Sequence, residues 1–171
     1  MKKPTFLILS VMLLLLCSLS IVFAHRTAES AKNVAQRRGK ELFQNHALVV
    51  AHYSGWGFAT YDDNGLIPIF KHLENDNFEN SFVFDKVTGK ASALLLAYGK
   101  AENLHTGLLS REAIPVLEKH NIKYTADKTV DYIINRRGDD RCPMEKTVAG
   151  IDDPQEAYET LTRLFYSAGK E

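Results

Sequence analysis

The sequence predicts an α/β fold, a three-layer α/β/α sandwich built around a mixed sheet. Two observations lead to this prediction. From Ser81 to Gly99, an apolar run rich in aromatic and β-branched residues is followed at once by an apolar helical pattern, which is typical of a buried strand and a buried helix. A two-strand hairpin precedes this central stretch and strand–helix units follow it, so antiparallel and parallel strands should share one sheet.

The individual elements follow from periodicity, turn residues and helix caps. Val34, Leu42 and Phe43 are the expected core contacts of the first helix. The predicted elements in chain order are a helix at 25–45, strands at 47–53 and 56–61 joined by a turn at 54–55, a turn at 62–65, a helix at 67–74, a strand and a helix from 81 to 98 that break at 88–89, a strand at 103–109, a helix at 111–120 capped by Ser110, a strand at 122–126, an apolar segment at 130–135 that could extend the sheet layer, a charged loop at 136–141, a short helix from Cys142-Pro143 to Ala149, and a last helix capped at 152–154.

The first 24 residues have the pattern of a targeting segment. Lys2 and Lys3 precede an uncharged apolar run from Phe6 to Ala24 that ends in residues suited to cleavage. The run is also almost long enough to cross a bilayer core of about 30 Å. Residues 1–24 are therefore either a signal peptide or an N-terminal membrane anchor, residues 25–41 a helical connector, and residues 42–168 the domain.

This leader sets the expected location and one expected partner. It predicts an extracytoplasmic domain, either secreted or membrane-anchored. The alternative is a domain anchored so that it faces the cytoplasm, because more basic residues follow the apolar run than precede it. If the leader stays uncleaved, the membrane is a partner of the chain.

Charge and cysteine content narrow the remaining partners. The chain has 21 basic and 21 acidic side chains, a balance that gives no reason to expect a nucleic-acid partner. Cys17 lies inside the leader and Cys142 is alone in the domain, so the domain cannot form an internal disulfide.

Four segments of the domain carry recognisable motifs: Val83–Leu95, Ile133–Arg136, Arg141–Glu145 and Ile151–Ala157. They resemble an uncharacterised bacterial family, a domain of unknown function that is similar in fold to cytidine deaminases. The resemblance spans about residues 42–165, although a leader before the domain departs from the simpler members of that family.

The resemblance also implies where a deaminase would place its zinc. Deaminases of this fold carry a ligand and a catalytic Glu at the start of the helix after the third strand, and two cysteines in Pro-Cys-x-x-Cys at a later helix start. The first position here reads Lys90-Ala91-Ser92, and the second runs from Cys142 to Glu145. A zinc site with an activated water needs three protein ligands and a proton shuttle. We therefore expect no catalytic zinc and no other cofactor.

The junction between the central strand and helix is the candidate site for a small-molecule ligand, because α/β folds place ligands there. Lys90 falls near the second residue of a helix, where the helix dipole disfavours a cation. Two explanations stay open: an internal ion pair with Asp85 or Glu145, or an anionic ligand held by Lys90 and neighbouring amides. The candidate ligand-binding residues are Asp85, Thr88, Gly89, Lys90, Ala91, Ser92 and Cys142.

Three functions compete on this basis. The leading expectation is a zinc-free, deaminase-like domain that binds a small anionic or nucleotide-like ligand. The first alternative is an enzyme with Cys142 as nucleophile, Lys90 lowering its pKa and Glu145 assisting proton transfer, although Glu145 also fits a capping box and Cys142 a buried inert thiol. The second alternative is an interaction module tethered to the cell envelope by its leader.

Overall fold

The structure, a computed structural model, describes residues 5–53 and 57–167, with side chains described for 12–53 and 57–165. The predicted turn at 54–55 and the start of the predicted second strand lie outside the described residues. The helices and strands in the described ranges are α1 Thr5–Phe43, β1 Leu48–His52, β2 Phe58–Tyr61, α2 Ile67–Leu73, β3 Ser81–Thr88, α3 Lys90–Tyr98, β4 Asn103–Ser110, α4 Ile114–Lys119, β5 Lys123–Val130, α5 Pro143–Thr147 and α6 Pro154–Ser167.

The strands form one mixed sheet with the order β2-β1-β3-β4-β5. Strand β1 pairs antiparallel with both β2 and β3, whereas β3, β4 and β5 run parallel to one another. The predicted hairpin and the predicted mixed α/β sheet are thus confirmed. The parallel strands end at the same edge of the sheet, and the β3–α3 junction lies at that edge.

The sheet is covered by helices on both faces. The second half of α1 packs on one face, where Ala35 and Phe43 meet Val49, Ala51 and Phe84. The other face carries the larger core, to which α3 contributes Leu94, Leu95 and Leu96, all fully buried. The nearly continuous apolar sequence of α3 fits this position, because helix α3 contacts the sheet, α2 and α4 to α6.

Helix α1 joins the predicted leader and the predicted connector into one continuous helix of 39 residues. Its large apolar side chains between Met12 and Phe23 are 53–70% exposed, so the protein itself does not bury them. Within the described chain, this is one helix that is long and apolar enough to cross a membrane. Of the expected core contacts, Phe43 is buried, whereas Leu42 packs only partly buried against the core.

The predicted helix at 111–120 starts later than expected. Ser110 is the last residue of β4, and its hydroxyl accepts the Glu112 N–H at 3.2 Å, while α4 begins only at Ile114. Pro115 then lies in the first helical turn, where its missing N–H would have had no helical partner. The proline therefore sets the start of this helix instead of disturbing its interior.

Strand β5 is longer than predicted and runs to Val130, because it pairs with β4 as far as Ser110. The apolar segment that follows leaves the sheet and makes an isolated antiparallel bridge between Ile134 and Arg141. The remaining caps match the sequence: Cys142 precedes α5 with Pro143 in its first turn, and Asp153 caps α6 by accepting the Glu156 N–H at 2.8 Å.

Candidate functional site

A buried carboxylate fills the space at the amino terminus of α3. Glu145 is 2% exposed, and its Oε1 accepts the Lys90 backbone N–H at 3.1 Å. Its Oε2 accepts the Ile133 backbone N–H at 2.8 Å. A Cβ atom on Gly89 would lie 2.6 Å from Glu145 Oε1, so only glycine fits between β3 and α3 without moving the carboxylate.

The start of α3 lacks a local side-chain cap, and Glu145 takes that role. The residue before the helix, Gly89, has no side chain with which to cap the free N–H groups of the first turn. Glu145, 55 residues away in sequence, supplies an acceptor, and the helix dipole favours its negative charge. Glu145 thus caps α3 although it belongs to a different helix, α5. The alternative interpretation of Glu145 as part of a capping box in α5 is wrong, because Cys142 makes no side-chain cap there.

Lys90 is held by a partner that the sequence analysis did not anticipate. Its Nζ donates to Asp152 Oδ1 at 3.0 Å and to the Ala149 carbonyl at 2.9 Å. The ion pair is therefore with Asp152 and not with Asp85 or Glu145, the two partners expected from sequence. The Lys90 side chain is 12% exposed and that of Asp152 is 75% exposed, so Asp152 lies on the solvent side of the ion pair. The hydrogen bond and charge of Lys90 lower the pKa of Asp152 below its usual value.

Asp85 belongs to a second, separate polar cluster beneath the junction. The burial pattern loses its strict alternation in both β3 and β4, so that buried positions lie three residues apart, at Asp85 and Thr88 and again at Thr106 and Leu109. Gly107 allows this, because a Cβ there would lie 3.1 Å from the Lys86 carbonyl oxygen. The shift turns Asp85, Thr88 and Thr106 toward one another inside the protein.

The distances in this cluster define a chain of hydrogen bonds. Thr88 Oγ1 lies 2.9 Å from Asp85 Oδ2 and 3.1 Å from Thr106 Oγ1, and the Thr106 hydroxyl donates to the Leu108 carbonyl at 3.1 Å. Each hydroxyl has one hydrogen to give. If Thr106 gives its hydrogen to Leu108 and Thr88 gives its own to Thr106, all three contacts are hydrogen bonds only when Asp85 is protonated and donates to Thr88.

The burial of Asp85 also favours its protonated form. Desolvation raises the pKa of the Asp85 carboxyl to about 7, against smaller opposing effects of hydrogen bonds from Thr88 and the Val87 N–H. The carboxyl is therefore an acid that holds its proton up to neutral pH. It lies in the interior of the fold and does not reach Lys90.

The remaining candidates do not complete a nucleophilic site. Cys142 is half-buried at the start of α5. The two groups expected to activate it are bound elsewhere, because Lys90 Nζ contacts Asp152 and the Glu145 carboxylate contacts backbone N–H groups. Ala91 and Ser92 are buried in the first turn of α3. Among the described residues, no three His, Cys, Asp or Glu side chains are grouped so that they could hold a metal ion.

The structure thus brings together some predicted residues and separates others. Gly89, Lys90 and Glu145 are in direct contact, whereas Asp85 and Thr88 belong to the interior cluster. Sequence reasoning missed Asp152, which was assigned only to the cap of the last helix, and Thr106. Their roles depend on contacts between distant segments, and the sequence carries no local signal for them.

A cavity of about 80 Å³ lies away from the junction, between α1 and the hairpin. Its volume is well below the range of roughly 300–1,000 Å³ that is typical of small-molecule sites. It is lined by Ala31, Val34, Ala35, Arg38, His52, Tyr53 and Phe58.

Comparison with known proteins identifies relatives of the chain. The family described as "Domain of unknown function (DUF1893)" matches residues 38–165. The chain is similar to the crystal structure of a DUF1893 family protein from Thermotoga maritima, with 28% sequence identity and a TM-score of 0.69, over 75% of this chain and 88% of that one. Among curated proteins, none matches. The resemblance to a family of unknown function is confirmed, and because the match covers most of the chain, this protein belongs to the DUF1893 family.

Proposed function

We propose that this protein is a non-catalytic domain on a deaminase-like fold, tethered to a membrane by α1, which acts as an interaction module. The observation that carries the proposal is the buried Glu145 carboxylate at the amino terminus of α3. It occupies the place where an anionic ligand or an activated water would have to bind. The position is closed by the protein's own side chain.

The placement of the two helix starts supports the deaminase comparison. In deaminases of this fold, residues at two helix starts converge on one zinc ion. The corresponding helices here, α3 and α5, also meet, since Glu145 of α5 contacts Gly89 and Lys90. The shared space between them holds one carboxylate bound to two backbone N–H groups. This is a structural contact in the position of an active site.

The charges around the junction argue against an anionic ligand as the main function. A second anion at the α3 amino terminus would lie against the buried Glu145 carboxylate, which disfavours it electrostatically. The Lys90 ammonium, the cation expected to attract such an anion, is already paired with Asp152. The ligand-binding function expected from sequence is therefore our second candidate.

The tether rests on the exposed apolar half of α1. Burial of one apolar side chain of this size is worth about 1.5–3 kcal/mol, so an exposed series of them favours a hydrocarbon environment strongly. We expect the full-length chain to fractionate with membranes and to resist extraction by high salt. The expected extracytoplasmic location stays a prediction, with anchoring toward the cytoplasm as the alternative. Recovery of the intact chain in a soluble fraction would contradict the tether.

A rescue experiment tests the closed site. Glu145→Ala leaves two part-buried N–H groups without their acceptor, at up to about 1–3 kcal/mol each, so we expect a clear loss of unfolding free energy. Acetate or formate should restore part of it by occupying the vacated position, and should leave the wild type unchanged. Glu159→Ala, which removes an exposed helical carboxylate, is the matched control and should not respond to these anions.

Unfolding measurements with added phosphate or nucleotide decide between the interaction module and the ligand-binding domain. The second candidate is favoured by the exposure of Asp152, because a solvent-facing partner can be displaced from Lys90 by another anion. If phosphate or a nucleotide raises the unfolding temperature of the wild type, and Lys90→Ala abolishes that rise, the ligand-binding function is correct and the closed-site proposal is wrong.

A further inference from the structure

We infer that the end of the domain formed by the amino ends of β3, β4 and β5 lies against the lipid headgroups, and that the β3–α3 junction points away from the bilayer. This inference rests on the proposed membrane tether and adds the orientation of the domain on it. The observation behind it is the continuity of α1 from the exposed apolar half into contacts with the sheet.

The second half of α1 is fixed to the sheet by close contacts. Gly39 is buried, and a Cβ there would lie 2.5 Å from the Phe84 ring, so the helix backbone rests directly on β3. One turn further along, the Phe43 ring lies 5.9 Å from that of Phe84 and 5.7 Å from that of His105. A helix packed this closely holds a defined direction relative to the strands.

The contacts of α1 show which way its apolar half projects. Toward its amino terminus, the Lys32 ammonium lies 4.7 Å from the centre of the Tyr53 ring. Tyr53 packs on Phe82 at 5.5 Å, and its hydroxyl donates to Glu102 at 2.7 Å. Phe82 is near the start of β3, and Glu102 immediately precedes β4. The apolar half of α1 therefore extends past the amino ends of the parallel strands.

Helix geometry sets the distance to the bilayer. The apolar run ends at Ala24, eight residues before Lys32, and a rise of 1.5 Å per residue places the two about 12 Å apart along the axis. Each headgroup layer is roughly 5–8 Å thick. The amino ends of the strands thus lie at or just above the headgroups. Strand β3 runs seven residue steps from Ser81 to Thr88, so its carboxyl end is about 23 Å further from the membrane.

The two ends of β5 offer a matched pair of probe positions. Lys123 and Thr129 are both exposed and lie near opposite ends of this edge strand. Each would be changed to cysteine in the full-length chain with Cys17→Ser and Cys142→Ser, labelled with one fluorophore, and reconstituted into phosphatidylcholine–phosphatidylglycerol vesicles. A fraction of the lipid carries a nitroxide quencher on its headgroup. Thermal unfolding of both labelled proteins checks that they fold as the parent does.

We expect at least twofold stronger quenching at position 123 than at position 129. Equal quenching, or stronger quenching at position 129, in protein that floats with the vesicles would overturn the orientation and leave the tether intact. Protein that does not float with the vesicles would refute the tether, and this orientation with it.

Discussion

The protonation of Asp85 makes a sharp prediction, because the group is buried and has no cationic partner among its hydrogen-bond contacts. Its hydrogen-bond contacts are the Thr88 hydroxyl and the Val87 N–H, and its pKa is raised from 3.8 to about 7 by burial. In the unfolded chain the carboxyl ionises near its ordinary value. The folded state therefore binds this proton more tightly than the unfolded state over the interval between the two values.

The sign and size of the effect follow from proton linkage. Since the folded pKa is the higher one, stability from this group is fully present at low pH and is lost as pH rises toward 7. A difference of about three pKa units, at about 1.36 kcal/mol each, gives an upper bound of about 4 kcal/mol between pH 4 and pH 8. Above pH 7 both states are ionised and the loss levels off.

Asp85→Asn removes the ionisation and keeps the shape. The Asn amide can donate to Thr88 Oγ1 as the protonated acid does, so the variant should resemble the wild type near pH 4. At pH 8 it should be the more stable protein, by up to about 4 kcal/mol. Urea unfolding of both proteins from pH 4 to 8.5 measures the difference, which should grow with pH and flatten above 7.

The control is Asp131→Asn, because Asp131 has an 84% exposed side chain. Its effect on the free energy of unfolding should stay small across the pH range. If the difference between Asp85→Asn and wild type does not change with pH, or if the variant is the less stable protein at pH 8, the hydrogen bonds stabilise the ionised carboxylate and our reasoning about the buried chain is wrong.

Two further predictions concern the junction and the opposite end of the core. Gly89→Ala should lower the unfolding free energy by about 1–3 kcal/mol. Alanine can adopt the Gly89 φ of −94°, so the cost comes from the clash between its Cβ and the Glu145 carboxylate. A denaturation curve that matches the wild type would contradict this close contact. Burial lowers the pKa of His72, so the folded state favours the neutral ring. Its contribution to the unfolding free energy is fully present above about pH 6.5 and is lost as pH falls through the lowered pKa. An NMR titration of the His72 ring should show the lowered pKa, and an ordinary value would refute the prediction.

Local sequence patterns predicted most of the fold. The β3–α3 unit was predicted closely because both its elements are largely apolar. Gly89 separates the strand from the helix, and Gly99 ends the helix. The start of α4 was missed because Ser110 resembles an N-cap, whereas pairing with β5 keeps it in the sheet. Here a tertiary contact overrode a local signal, which is the usual limit of propensity arguments.

The contacts at the β3–α3 junction were predicted only in part. The sequence singled out this junction and the helix start at Cys142, and the structure brings Glu145 of that helix against Gly89 and Lys90. The partner of Lys90 was wrong, because a lysine at a helix start indicates that some anion is needed without indicating which one. Asp152 is 62 residues away in sequence, and only the folded chain brings it to Lys90.

The capping of α3 by Glu145 also has a consequence for how the fold responds to its surroundings. A free anion at a helix start stabilises a protein by an amount that depends on its concentration relative to its dissociation constant, and its effect vanishes on dilution. A carboxylate carried on the same chain has a fixed effective concentration. The stability of the α3 amino terminus should therefore be independent of the solutes in whichever compartment the domain occupies.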